Sequence, residues 1–116
     1  MARQKTTLGK NYIHDSAAKL TYALYGQASH SYASAQVDWT LNATEAEASY
    51  LVATLAGGAV NAILTTAIPG KMWIFYNNSG QTVTFKVSGQ SGVAITDGHH
   101  QLLFCGAADI TAVVIT

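Results

Sequence analysis

From Val37 onward, apolar and polar residues alternate in short runs, and each run closes on glycine, asparagine, serine or aspartate. A period of two sends successive side chains to opposite faces of an extended chain. VDWTL places Val37, Trp39 and Leu41 on one face, and YLVATL and AVNAILTT flank a turn at Gly57-Gly58. Pro69-Gly70 precedes KMWIFYN, where Met72, Ile74 and Tyr76 alternate with Trp73 and Phe75. Both faces of that run are apolar, so the strand is expected to be sandwiched or covered by a partner chain. Asn77-Asn-Ser-Gly80 tolerates positive φ and predicts a tight hairpin into QTVTFKV. Ser88 to Gly92, Thr96 to Gly98 and Gly106 to Asp109 supply the later turns, around GVAI, HQLLFC and DITAVVI. About eight short strands at this spacing predict an all-β fold, an antiparallel sandwich or small barrel, over residues 36–116.

Residues 1–35 read as an arm and linker. DSAAKLTYALYG, residues 15–26, fits a short helix capped at Asp15 or Ser16, and equally a strand with Leu20, Tyr22 and Leu24 on one face. QASHSYASAQ is small and polar and reads as linker. Between the first strands, Thr44 and Glu47 match a capping box, which predicts at most one helical turn before Tyr50.

Charge sharpens the division. Charged residues make up 10% of the chain and the formal net charge is zero, against roughly 25% charged in an ordinary soluble domain. A surface so poor in charge has little protection against association, so much of it is expected to be covered by copies of itself or by a larger assembly. Residues 1–19 hold Arg3, Lys5, Lys10 and Lys19 against Asp15, a net +3, and the remainder carries −3. A basic arm of this kind is expected to dock on an acidic neighbour, with Arg3, Lys5, Lys10 and Tyr12 as its contact residues. The neutral balance gives no reason to expect nucleic acid as a partner. No uninterrupted apolar run reaches about 18 residues, so no membrane span is expected. The lone Cys105 and the absence of a secretory leader predict synthesis in a reducing cytoplasm.

Reactive groups are sparse. His99 and His100 point to opposite faces if they lie on a strand, which defeats a single metal site within one copy. Cys105 sits beside Leu103 and Phe104 and reads as a buried strand residue rather than a nucleophile. Gly89-Gln-Ser-Gly92 lacks the last glycine and the following helix of a nucleophile elbow. Glu45 and Glu47 diverge on a helical turn and cannot converge on one glycosidic bond. No enzyme and no cofactor are therefore expected. Trp39, Trp73 and Phe75 read as core or subunit-interface aromatics.

The run PGKMWIFYNNSGQTVTFKVSGQSGVAITDGHHQLLFCGAADITAV resembles a module recurrent in virion proteins of tailed bacteriophages. The resemblance lies in Pro69-Gly-Lys71, Asn77, Thr82 to Val87, Gly89 to Val93, Asp97-Gly98 and Leu102 to Cys105. Upstream, TLNATEAEASYLVATLAGG is similar to the entry of that module, and the likeness covers roughly residues 37 to 116. Gly106-Ala-Ala-Asp109 and His99-His100 depart from the pattern. The resemblance implies a β-sandwich without enzymatic activity, often trimeric, in head fibres, capsid decoration proteins or tails. It makes a capsid decoration protein the leading expectation, on the outside of the head with the major capsid protein and its own copies as partners. A tail or head-fibre module that binds a host receptor or glycan is the alternative.

Overall fold

The computed structural model describes residues 26–33 and 36–113, and the arm residues Arg3, Lys5, Lys10 and Tyr12 lie outside them, as do residues 15–25. Among the described residues the strands are β1 (Gln27–Ser31), β2 (Trp39–Leu41), β3 (Tyr50–Thr54), β4 (Val60–Leu64), β5 (Met72–Asn78), β6 (Val83–Val87), β7 (Val93–Ile95), β8 (His100–Cys105) and β9 (Ile110–Ala112), with one helix, α1 (Ala43–Glu47). They form two open sheets, ordered β1-β3-β5-β8-β9 and β2-β4-β6-β7. The fold is an all-β sandwich, not a closed barrel.

Two expectations change here. QASHS is not linker: it forms β1, parallel to β3, so the sandwich extends ahead of the boundary expected at residue 36. The sheets are also not antiparallel throughout, because β1–β3, β3–β5, β2–β4 and β4–β6 all pair in parallel. Parallel neighbours need a long crossover, and here each crossover is a strand of the opposite sheet. The chain changes sheet after every strand from β1 to β6, building three stacked rungs. Gln27 stands beside Tyr50 and Tyr50 beside Ile74, steps of 23 and 24 residues. Trp39 stands beside Ala62 and Ala62 beside Phe85, two steps of 23. Antiparallel pairing begins only with β7 on β6, β8 on β5 and β9 on β8.

The step from β5 to β6 shows why the expected hairpin became an arch. Asn77 is fully buried. Its Nδ2 donates to the Gln81 and Ile95 carbonyls, each at 2.7 Å. Its Oδ1 accepts from the Ser79 amide at 3.1 Å and the Ser79 hydroxyl at 2.6 Å. An amide satisfied on all sides turns the chain inward, toward β7 of the other sheet, instead of back along β5. Asp97 ties the next crossing to this one by accepting from the Gly80 amide at 2.7 Å.

The rungs stack like residues in columns. Ala28, Leu51 and Phe75 form one inward column, and Trp39, Ala62 and Phe85 another. Trp73 packs edge-on to Phe85 with centroids 5.2 Å apart, and Phe75 lies 5.6 Å from Phe85 and 6.5 Å from Trp39. Trp39, Trp73 and Phe75 are thus core of this chain, covered by its own opposite sheet rather than by a partner.

The short helix is capped two residues earlier than the Thr44–Glu47 pattern predicts. Asn42 is the N-cap: its Oδ1 accepts from the Glu45 amide at 2.8 Å, and Glu45 Oε1 accepts from the Asn42 amide at 2.9 Å. Asparagine is at least as good an N-cap as threonine, and the helix ends at Glu47, the residue the pattern puts in its first turn. Five residues cannot hold a helix alone. Both tryptophans anchor it, Trp39 Nε1 donating to Glu45 Oε1 at 3.2 Å and Trp73 Nε1 to the Ala46 carbonyl at 3.1 Å.

At the far end Asp109 joins the two hairpins. Its carboxylate accepts from the Val87, Gly92 and Ile110 amides at 3.2, 2.7 and 2.8 Å. Desolvation pushes its pKa up, but backbone N–H groups of Gly92, Ile110, Val87 and Ser91 outweigh that and hold it below the ordinary aspartate value.

Candidate interaction surface

The outward face of the five-stranded sheet is built by register. Tyr50, Ile74 and Leu102 form one row across β3, β5 and β8, and Met72 stands beside Phe104 in the next. Inward neighbours Trp73, Phe75 and Leu103 are buried, so period two turns Met72, Ile74, Leu102 and Phe104 outward. Met72 is 48% exposed, Ile74 44% and Phe104 37%, and no charged side chain lies within either row. A hollow of about 390 Å³ opens there, lined by Ser49, Tyr50, Met72, Trp73, Ile74 and Leu102. Lys71 Nζ lies 5.7 Å from the Trp73 ring. Burial pulls the Lys71 pKa down, and Glu47 partly restores it.

Along one margin of this face three rings lie parallel. His100 stacks on Tyr76 at 4.1 Å and on Tyr50 at 6.1 Å, with interplanar angles of 4° and 10°. The Tyr50 hydroxyl and His100 Nε2 are 3.2 Å apart. The sequence pattern identifies the apolar run Met72-Ile74-Tyr76. It does not reveal Tyr50, Leu102 and Phe104 beside it, because the missing information is which strands are neighbours.

The groups with chemical potential are occupied in holding the fold. Cys105 is buried, its Sγ accepting from the Ile68 amide and donating to the Gly106 carbonyl, both at 3.3 Å. Asp38 accepts from Asn61 Nδ2 at 3.0 Å, and Glu45, Asp97 and Asp109 serve the contacts described above. His30 stacks on Trp39 at 5.2 Å and meets the edge of Tyr32 at 4.6 Å. Burial lowers its pKa, with Glu45 opposing the shift. Burial likewise raises the Tyr32 phenol, whose hydroxyl donates to the Asn61 carbonyl at 2.7 Å. Among the described residues no group of three or more histidine, cysteine or acidic side chains is placed to hold a metal ion, and no helix is long and apolar enough to cross a membrane.

No family model, curated protein or solved structure matches this chain.

Proposed function

We propose that this chain is a capsid decoration protein of a tailed bacteriophage, which oligomerises, as a trimer, and reinforces the head through contacts with the major capsid protein. The observation that carries the assembly role is the outward apolar face around Ile74. Cementing needs contact area rather than reactivity, at roughly 25 cal/mol for each Å² of apolar surface removed from water. The occupant of that face is a neighbouring copy of this chain, since its uncharged rows suit a different patch on the surface of a protein short of charge, the head-to-tail contact that a trimer requires. What supports the phage setting is the succession of turns and strands from Pro69 to Cys105. Purified particles test it: the chain is expected in a copy number comparable with the major capsid protein. A handful of copies confined to the tail tip would reject decoration.

The second reading, a receptor- or glycan-binding module of a tail or head fibre, is favoured by the exposed His100 ring and its neighbours Tyr50 and Tyr76. A glycan array probed with the intact protein separates the two readings, and decoration predicts no binding.

A further inference from the structure

We propose that Leu55 of one copy seats in the apolar hollow beside Ile74 of the next. This rests on the self-assembling role proposed above and names the patch that meets the outward face. Leu55 lies at φ 59°, and among the described residues it is the one non-glycine at positive φ. Sterics penalise a leucine in that left-handed region. One residue past the aligned Ser31, Thr54 and Asn78, Leu55 falls level with Tyr32 and Ser79. Both of those are buried, whereas Leu55 is 63% exposed, the most of any large apolar side chain among the described residues. Core packing therefore does not account for its conformation. A strained residue persists where its surroundings hold it, and such residues cluster at sites of use. The surroundings here are firm. The Ala56 amide donates to the Ser79 carbonyl at 2.9 Å, and the Gly57 amide to Gln36 Oε1 at 2.8 Å. Gln36 Nε2 donates in turn to the Tyr32 carbonyl at 2.6 Å. The middle arch is tied to the arch on either side, so Leu55 is presented as a preorganised anchor.

The hollow is its counterpart. At about 390 Å³ it exceeds the roughly 150 Å³ cavity that accepts a benzene ring, and its rim of Tyr50, Met72, Ile74 and Leu102 is uncharged. Residues 54–60, around Leu55, contain no ionisable side chain either. A chain cannot fill its own hollow in this way. Tyr50 opens β3 and Leu55 follows its last residue, a separation of about 16 Å along an extended strand. Two outward faces packed on each other would leave both Leu55 side chains in water. Knob against hollow covers both patches in one contact, with an apolar anchor in a pocket at its centre. The patches differ, so the contact is head-to-tail and closes into a ring when the rotation between copies does.

The test mixes two full-chain variants, Leu55→Cys and Ile74→Cys, under copper-phenanthroline oxidation, with the buried Cys105 left in place. Disulfides between positions 55 and 74 of different copies are expected to exceed links between like positions at least tenfold. A predominance of 74–74 links would overturn the seat in favour of faces packed on each other, while leaving self-assembly standing. Leu55→Asn supplies the independent measurement, because asparagine tolerates positive φ. Its melting temperature should hold or rise, while the dissociation constant of the oligomer in sedimentation velocity rises at least tenfold. An oligomer indifferent to Leu55→Asn would also overturn the seat and spare self-assembly. An unmodified chain that stays monomeric at every concentration would overturn both.

Discussion

Asn77 meets four partners with one amide, two carbonyls and two donors of Ser79. Asn77→Ala strands the Gln81 and Ile95 carbonyls in a buried corner and is expected to cost about 2–3 kcal/mol. The urea midpoint should fall with little change in slope. Gly92 is constrained by space as well as by conformation. At φ +66° a Cβ would lie 2.3 Å from the Phe85 carbonyl oxygen, whereas Gly89, at φ +82°, has open space around it. Gly89→Ala should cost about 1–2 kcal/mol for the left-handed conformation alone, and Gly92→Ala clearly more in the same denaturation series. Acid acts on two residues in separate windows. Burial sets the folded pKa of His30 below 6.5, so the unfolded chain takes the proton first and stability declines as pH falls from that value. Asp109 is depressed below 3.8 in the fold, so its contribution is complete above that value and is lost as pH falls through the folded pKa. Thermal melts of His30→Gln and Asp109→Asn should each flatten one of these limbs, the upper and the lower respectively.

At the scale of elements, α1 is a clasp rather than a helix in its own right. Trp73→Phe keeps the ring packing but removes the donor to Ala46, and a loss of about 1–2 kcal/mol is expected. Amide exchange should report it first at Ala46 and Ala48. The strands from β2 onward were legible because one buried face imposes period two on Trp39–Leu41, Val60–Leu64 and Val83–Val87. β1 was not legible, since Ala28 and His30 supply its inward side and serine or glutamine its outer one. Nor was parallel pairing, because period two says which face is buried and nothing about the neighbour. Asn-Asn-Ser-Gly reads the same in a hairpin and an arch until Asn77 is seen to bond to Ile95, 18 residues away.

For the whole molecule, the candidate surface was half legible. Met72 and Ile74 stand out in the sequence, but their partners Phe104 and Leu102 come to them only through the β5–β8 register. Trp73 and Phe75, from the same run, turn into the core instead. Ile74→Glu should leave the melting temperature within a few degrees, because the side chain is half in water. The same change should shift the protein toward the monomer in sedimentation velocity at micromolar concentration. The step of 23 or 24 residues between rungs has a further consequence for how such a chain can change length. Inserting one residue into a rung's strand reverses every inward side chain beyond it, but inserting a complete 23-residue turn adds a storey and leaves the others in register. The molecule is modular in units of one rung, so its height can be altered in whole steps.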